Sequence, residues 1–140
     1  MERTLTIIKP DAVQRNLAGK ILARLEAEGF VILGVKMVYL SKQDAERFYY
    51  VHHERPFFDS LTAYMASGPA IPVMLQRDDA IRKLRDVMGA TNPAEAAAGT
   101  IRKEWGLDLE KNSIHGSDAP ETAAWETAFF FNHLEFWQQR

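Results

Sequence analysis

The chain contains no cysteine, and this absence excludes several kinds of site. Without thiols there is no disulfide framework, no thiolate metal centre and no cysteine nucleophile. Long apolar runs are also missing, because no stretch approaches the ~18 residues that a membrane-spanning helix requires. The N-terminal segment MERTLTIIKPD lacks the apolar core and small-residue cleavage site of a signal peptide. We therefore expect a cytoplasmic protein that makes no contact with a membrane.

A large excess of charge of either sign is absent as well. The 17 Lys and Arg residues face 19 Asp and Glu residues, and the net charge is −2. That balance argues against a general binder of polyanions, although local basic patches remain possible. With 140 residues, of which 46% are hydrophobic, the chain is long enough to bury a core. We expect a single domain over residues 1–140.

Runs typical of strands alternate with runs typical of helices. Apolar, often β-branched stretches predict strands at residues 4–9, 30–40, 70–76 and 127–132, the second of them long and largely buried. Helix patterns and start signals predict helices that begin at Pro10 and cover residues 17–29, 45–53, 55–68, 78–89 and 118–126. Strands that alternate with helices and include one helix pair predict an α/β sandwich with helices covering one sheet.

Acidic side chains stand at the predicted starts of two helices. Asp78 and Asp79 resemble a magnesium pair, but directly before AIRKL they are better interpreted as N-terminal caps. Asp118 is interpreted as the cap of the last helix, with Glu121 in the capping-box position. These carboxylates are therefore assigned to helix ends rather than to a metal.

Regular periodicity fails between residues 90 and 116. One short turn is predicted there, with Asn92 as its cap and Pro93 at its first position. A long irregular segment inside a compact domain is usually functional or disordered. We favour function because the segment carries several side chains suited to binding or catalysis: Thr91, Arg102, Asn112 and His115.

His115 lies in the segment NSIHGSDAPE, residues 112–121. Gly116 leaves room beside the ring, and the helix predicted to begin near Asp118 would direct free N–H groups toward an anion. A neutral imidazole nitrogen is a nucleophile, and its bond to phosphorus is energy-rich enough for transfer in both directions. We interpret His115 as a carrier of a phosphoryl group; for this window alone, a solvated or structural histidine is the alternative.

Cationic side chains elsewhere could neutralise the oxygens of a transferring phosphate. The candidates are Lys9 at the end of the first strand, Arg55, Arg85 and Arg102. Each of them taken singly is more often an ordinary surface charge. In the pair that follows Pro56, Phe57 could stack on a base while Phe58 packs in the core.

Other patterns give no metal or nucleotide motif. His52 and His53 are adjacent, so in a helix they would point about 100° apart and could not easily hold one metal. No HExxH spacing is present, and we expect no metal site built by protein side chains. Neither GxGxxG nor GxxxxGK[ST] occurs, so any nucleotide must be held by an unusual route.

Four segments spread over the chain share a pattern: TLTIIKPDAV, HHERPFFDSLTAYMASGP, MGATNPAEAAAGTIR and NSIHGSDAPETA. In these segments the chain strongly resembles the nucleoside diphosphate kinases, and N-x-x-H-G-S-D is the most specific match. The resemblance implies a ferredoxin-like α/β sandwich, with a four-stranded antiparallel sheet covered by helices. It also implies that a long loop, about residues 91–115, lines the active site.

The resemblance further implies ping-pong transfer that maintains nucleoside triphosphate pools. ATP would phosphorylate His115 on Nδ1, ADP would leave, and an incoming nucleoside diphosphate would take the phosphate. Mg²⁺ would arrive with the nucleotide rather than in a protein cage. Stacking on a base without reading its edge would explain broad base specificity, because every base has a π-face.

The resemblance assigns a role to each of the remaining site residues. Glu126, assisted by Ser117, would accept a hydrogen bond from the second imidazole nitrogen of His115. The nucleotide contacts would be Lys9 and Tyr49 at the γ-phosphate, Phe57 on the base, Arg85, Thr91 and Arg102 on the phosphates, and Asn112 at the ribose.

Two stretches of the chain match the family pattern less closely. Gln76 and Arg77 stand where the family commonly has an acidic residue and a glycine, and residues 103–111 fall where the family pattern is loose.

The tail ends at Arg140, soon after the last predicted strand, and family members with short tails are often tetramers built from two dimers. We therefore favour a homotetramer over a hexamer.

Two functions of other classes compete with the enzyme. A non-catalytic nucleotide-binding or regulatory module would bind nucleotides without transferring phosphate, and the set of Lys9, Arg102 and His115 argues against it. A nucleic-acid binder would show strong affinity that falls steeply with salt, and the near-neutral charge argues against it. We expect no specific nucleic-acid partner.

Overall fold

The computed structural model describes residues 1–138, and Arg140 at the end of the tail lies outside this range. Strands and helices alternate along the chain with two helix pairs between the first three strands. The elements are β1 (Glu2–Ile8), α1 (Pro10–Gln14), α2 (Ala18–Ala27), β2 (Val31–Val35), α3 (Lys42–Phe48), α4 (Phe58–Met65), β3 (Ile71–Arg77), α5 (Ala80–Met88), α6 (Ile101–Trp105), β4 (Ile114–Gly116) and α7 (Pro120–Phe130). Short 3₁₀ turns occur at Tyr50–His52 and Pro93–Glu95.

The four strands form one antiparallel sheet in the order β2-β3-β1-β4. β1 lies inside the sheet and pairs with β3 from Glu2↔Arg77 to Ile8↔Ile71. β4 pairs with β1 through Ile7↔His115, so it forms an edge of the sheet. The predicted four-stranded antiparallel sheet covered by helices is confirmed.

Side chains alternate across the sheet and fill a core on each face. Ile8 packs in one core with Leu25 and Leu84 from the helices α2 and α5. Leu5 and Ile7 pack in the other core with residues of α3, α4 and α7, among them Phe48. Helices therefore cover both faces, and β1 is buried from Thr4 to Ile8.

The predicted long strand at residues 30–40 is wrong beyond Val35. The pairing register with β3 shifts between Ile32 and Gly34, which indicates a bulge. Beyond the strand only the isolated bridge Val38↔Ala70 continues the pairing. Met37 is 60% exposed, so this apolar segment is not buried as expected.

The last predicted strand, at residues 127–132, is also wrong. Most of it belongs to α7, which continues to Phe130 and buries that ring beside Phe48. The fourth strand is instead β4, only three residues long, and His115 is its central residue. The catalytic candidate thus lies on a strand and not in a loop.

Two of the predicted helix caps are wrong because other residues reach the helix ends. Asp79 adopts a left-handed conformation with φ +54° and makes no side-chain cap, while the N–H of Ile81 donates to Glu2 Oε1 at 2.8 Å. Asp118 binds Arg85 instead of capping α7. The Thr122 hydroxyl accepts from the N–H of Ala119 at 2.9 Å at that helix end.

The segment predicted to be irregular is partly ordered. Asn92 accepts a hydrogen bond from the N–H of Ala94 at 3.0 Å and caps the short turn, as expected. Thr100 caps α6, a helix that the sequence did not predict. The departures at Gln76 and Arg77 leave the β1–β3 pairing intact. Within residues 1–138, no helix is long and apolar enough to span a membrane.

Candidate active site

A cavity of about 460 Å³ opens beside β4 and the end of β1. Seven of the residues that the sequence nominated line it: Lys9, Tyr49, Phe57, Thr91, Arg102, Asn112 and His115. Glu126 and Ser117 lie directly behind His115. Arg85 stands outside the lining and forms an ion pair with Asp118, which does line the cavity. The fold thus gathers residues that are far apart in sequence around one space.

His115 is held from several sides while one ring nitrogen stays available. Thr6 Oγ1 donates to the His115 carbonyl at 2.6 Å, and the rings of Phe48 and Tyr49 lie edge-on to the imidazole at 5.4 and 5.7 Å. Nε2 lies 2.9 Å from Glu126 Oε1. Nδ1 has no hydrogen-bond partner within residues 1–138, and the side chain is 18% exposed. The ring is therefore oriented, not buried out of reach.

Glu126 fixes the protonation pattern of this ring. A carboxylate only accepts, so Nε2 carries the proton and Nδ1 carries a lone pair. Ser117 Oγ donates to the same Oε1 at 2.7 Å. Burial raises the pKa of Glu126, but the hydrogen bonds from His115 and Ser117, together with charge interactions with His115 and His52, outweigh burial and leave the pKa below its usual range. Glu126 is therefore an anion at neutral pH, facing the imidazole.

Lys9 brings a buried cation to the cavity from the junction of β1 and α1. Its Nζ donates to Asn112 Oδ1 at 2.8 Å and to the Glu110 carbonyl at 2.9 Å. Burial and the nearby Arg102 lower the pKa of Lys9 to about 8, although Asp11 opposes the shift. Lys9 as a whole is only 6% exposed, so a bound anion would meet its charge with little screening by water.

Arg102 is positioned by backbone carbonyls around the cavity. Its Nη1 donates to the Gly89 carbonyl at 3.1 Å and its Nη2 to the Ile114 carbonyl at 2.8 Å. Burial and the proximity of Arg85 lower the pKa of Arg102 to about 10, so the guanidinium stays charged at neutral pH. Its buried Nε has no partner in the part of the chain that the structure describes.

A tight turn before β4 joins Asn112 to the strand that carries His115. Ser113 has φ +76°, and the N–H of Ile114 donates to the Asn112 carbonyl at 3.0 Å, which is the pattern of a strained γ-turn. Asn112 Nδ2 donates to the Thr91 carbonyl at 3.0 Å. These bonds tie residues 91 and 112 to the position of His115.

Comparison with known proteins identifies the family. The model of the family described as nucleoside diphosphate kinase matches residues 2–136. The chain belongs to the nucleoside diphosphate kinase family. It is 58% identical to the nucleoside diphosphate kinase of Nitratidesulfovibrio vulgaris strain Hildenborough over 135 residues, covering 96% of this chain and 97% of the relative. It is also 58% identical to that of Geobacter sulfurreducens, with coverage of 96% and 98%.

Solved structures of this kinase family share the fold. The nucleoside diphosphate kinase of Aquifex aeolicus has a TM-score of 0.95 at 46% identity, covering 96% of this chain and 98% of that one. The enzyme of Halobacterium salinarum, solved in complex with CDP, has a TM-score of 0.94 at 40% identity, covering 99% and 93%.

The outer end of the cavity in this kinase is apolar. Phe57 is 42% exposed, and Leu61 and Leu109 join it in the lining. Phe58 packs against the core, as the sequence suggested. Arg55 lies over the Phe57 ring at 5.8 Å and does not line the cavity. The cavity therefore has a cationic end near His115 and an apolar end near Phe57.

Sequence reasoning missed several residues that line the cavity: His52, Leu61, Leu109 and Glu110. His52 was weighed only as half of a metal pair, although its place five residues before Phe57 in the same segment could have suggested the cavity. Leu109 and Glu110 belong to the stretch where the pattern is loose, and no local signal indicates that they face a ligand. Tyr49 was nominated; its hydroxyl has no partner among the described residues 1–138, and burial raises its pKa.

Proposed function

We propose that this kinase transfers the γ-phosphate of a nucleoside triphosphate, typically ATP, to a nucleoside diphosphate through a phosphohistidine on His115 Nδ1. The observation that carries the proposal is the hydrogen bond between His115 Nε2 and Glu126, which leaves Nδ1 to face the cationic end of the cavity. Such an enzyme maintains the pools of nucleoside and deoxynucleoside triphosphates.

In the first half-reaction, the Nδ1 lone pair attacks the γ-phosphorus and the bond to the β-γ bridging oxygen breaks. The diphosphate leaves with the electron pair of that bond. The imidazole becomes positively charged, and Glu126 stabilises this charge through the Nε2 proton without needing to take it. Lys9 and Arg102 neutralise the phosphoryl oxygens.

The second half-reaction is the reverse, with a different nucleotide. The β-phosphate oxygen of the acceptor attacks phosphorus, the P–Nδ1 bond breaks, and the neutral imidazole is restored. Because the same residues serve donor and acceptor, one cavity is sufficient for both half-reactions. The use of one cavity by donor and acceptor in turn favours ping-pong kinetics over a mechanism in which both nucleotides bind at once.

The remaining nominated residues complete the nucleotide site. Phe57 stacks on the base, and Leu109 covers its other side, which explains broad base specificity. Thr91 and Arg85 bind phosphates, and Arg85 breaks its ion pair with Asp118 when it does so. Tyr49 offers its hydroxyl near the γ-phosphate, and Asn112 meets the ribose. The Halobacterium relative solved with CDP supports a nucleoside diphosphate as the ligand.

Magnesium fits this site as a companion of the phosphates. Within residues 1–138 no group of three His, Cys, Asp or Glu side chains could hold a metal, and the acids lining the cavity are Glu110 and Asp118. That donor set suits an ion ligated mainly by phosphate oxygens and water. When bound, Mg²⁺ would neutralise phosphate charge beside Lys9 and Arg102.

The proposal includes the setting of the enzyme. We treat residues 1–140 as one kinase domain, located in the cytoplasm and assembled as a homotetramer of two dimers. Sedimentation equilibrium tests the assembly, because a tetramer has four times the 15.9 kDa mass of the chain. A hexamer or a monomer contradicts this part of the proposal without affecting the chemistry at His115.

The transfer is tested with γ-labelled ATP. The enzyme should acquire one acid-labile, alkali-stable phosphate per chain, and GDP should discharge it as GTP. His115→Ala should lose both signals while its circular dichroism spectrum remains that of the wild type. His133→Ala is the matched control, since His133 is exposed and outside the cavity. A fully active His115→Ala enzyme contradicts the proposal.

A further inference from the structure

The apolar end of the cavity is built by two segments far apart in sequence. Phe57 precedes α4 and Leu61 belongs to it, whereas Leu109 belongs to the turn at residues 106–112. A hydrogen bond joins the segments: Ser60 Oγ donates to Glu110 Oε2 at 2.9 Å across 50 residues of sequence. Among residues 1–138, no other hydrogen bond connects α4 to this turn.

Glu110 is fixed through its backbone as well as its side chain. Its N–H donates to Asp108 Oδ1 at 2.9 Å, and its carbonyl accepts from Lys9 Nζ at 2.9 Å. Asp108 Oδ1 also accepts from the N–H of Lys111 at 2.7 Å, which closes the turn. These bonds anchor the backbone of Glu110, and its carboxylate reaches from this anchored position to Ser60 on α4.

We propose that the Ser60–Glu110 hydrogen bond is a clasp that sets the separation of Phe57 and Leu109, the two walls between which the base is stacked. The inference rests on the proposed function, because it assigns the base to this end of the cavity. Ser60 and Glu110 are thus positioning residues, and neither side chain touches the reacting phosphorus.

The clasp matters because stacking requires two faces at a fixed spacing. A base held between two apolar faces gains dispersion from both, and a gap of even 0.5–1 Å forfeits a quarter to a half of a contact's attraction. Phe57 and Leu109 are both substantially exposed, at 42% and 63%, so core packing does not fix their separation. The hydrogen bond between Ser60 and Glu110 supplies that constraint.

The clasp therefore strengthens nucleotide binding without changing the chemical step. Loss of the clasp should weaken nucleotide binding by a similar factor whatever the base, because stacking is tolerant of base identity. It should not weaken the binding of a ligand that has the phosphates and ribose but no base. Ribose 5-diphosphate is such a ligand and separates the base slot from the phosphate end.

Ser60→Ala tests the clasp by removing only a hydroxyl that does not line the cavity. Calorimetric Kd values for ADP, GDP and CDP should each rise about threefold to tenfold, the value of a typical hydrogen bond. The Kd of ribose 5-diphosphate, from competition with ADP, should not change. In turnover assays the KM should rise while kcat is kept.

Matched variants separate the clasp from general damage. Ser60→Thr keeps the hydroxyl, so it should bind nucleotides much as the wild type does. Ser67→Ala, two residues beyond the end of α4, is the control, because among residues 1–138 its hydroxyl donates only to the Tyr64 carbonyl. It should leave all four Kd values unchanged.

Three outcomes overturn the clasp: unchanged affinity in Ser60→Ala, loss confined to one base, or an equal loss for ribose 5-diphosphate. The second would mean that Glu110 contacts a base edge directly, and the third would mean general structural damage. Binding does not require phosphoryl transfer. The clasp can therefore be wrong while labelling of His115 succeeds. Likewise, labelling can fail while the binding measurements support the clasp.

Discussion

His115 on β4 and Glu126 on α7 face each other with 2.9 Å between Nε2 and Oε1, and only 11 residues separate them in sequence. The short link passes through Ser117, whose hydroxyl donates to the same carboxylate oxygen. This arrangement gives the ring one fixed orientation and one protonation pattern. It also makes the charge on Glu126 the first property to test.

Replacing Glu126 by Gln should slow phosphorylation of the enzyme. The amide keeps the size of the side chain but loses the negative charge that stabilises the imidazolium. A charged hydrogen bond contributes about 1.5–3 kcal/mol, so the rate should fall roughly tenfold to a hundredfold. Rapid-quench measurement of phosphoenzyme formation checks this. Glu121→Gln, an exposed position on the same helix, should behave as the wild type; equal rates in both variants contradict the role.

The charge on Lys9 should set the alkaline limit of activity. Its pKa is lowered to about 8, chiefly by burial and by Arg102, against the opposing charges of Asp11, Glu110 and Asp108. The cation is present below this pKa and is lost as the pH rises through it. The kcat/KM for nucleotides should therefore decline above pH ~8.

The same shift makes a prediction about stability with the opposite sign. Between the folded pKa of about 8 and the ordinary lysine pKa of 10.5, the unfolded chain binds more protons at Lys9, so this group makes the free energy of unfolding rise with pH in that range. Lys9→Arg keeps its charge across this range. A pH profile of whatever activity it retains should lack the decline near pH ~8; persistence of the decline contradicts the assignment to Lys9.

Removing the ring of Phe57 should weaken nucleotide binding for every base. Stacking of a base on an aromatic side chain contributes about 1–3 kcal/mol, so Phe57→Ala should raise KM roughly fivefold to a hundredfold. Phe57→Tyr keeps the ring and should restore most of the affinity. Steady-state kinetics with ADP and GDP as acceptors decide the matter. A KM unchanged for both, or raised for only one, argues against a shared stacking role.

The backbone of Gly89 helps to position the guanidinium of Arg102. It has φ +87°, a Cβ there would lie 2.5 Å from Thr100 Oγ1, and its carbonyl accepts from Arg102. Gly99 has φ +86° but open space around a Cβ. Both alanine variants should lose about 1–2 kcal/mol to left-handed strain, and Gly89→Ala should lose about 1–3 kcal/mol more to overpacking.

Urea unfolding measures both free energies. Gly89→Ala should also raise the KM for nucleotides, because the Arg102 guanidinium shifts with its carbonyl partner. Gly99→Ala should keep the KM of the wild type. Equal destabilisation of the two variants would show that the contact with Thr100 is unimportant.

Local sequence was sufficient for most of the fold. The apolar spacing of α5 and the β-branched, apolar composition of β1 are local properties of the sequence, and both elements were predicted. β4 was not, because a three-residue edge strand is defined by pairing to Ile7, more than 100 residues away. The aromatic run at residues 129–131 favours a strand by propensity, but packing against Phe48 keeps Phe129 and Phe130 in a helix.

The residues of the site could be predicted where the sequence matches the family pattern. The nominated residues from Lys9 to His115 converge on one cavity except Arg55 and Arg85, which stand outside its lining. The ion pair of Arg85 with Asp118 and the cap that Glu2 gives to α5 depend on tertiary contacts. Glu110 was missed for the same reason: only the packing of α4 against the turn brings Ser60 to it.

The site of phosphorylation on the imidazole tests the central claim most directly. The enzyme is labelled with ¹⁵N in histidine, phosphorylated with ATP, and examined at alkaline pH by ³¹P–¹⁵N correlation NMR. Because Glu126 occupies Nε2, the phosphorus should couple to Nδ1 of His115 alone. Coupling to Nε2, or phosphate found on another residue while transfer proceeds, contradicts the account.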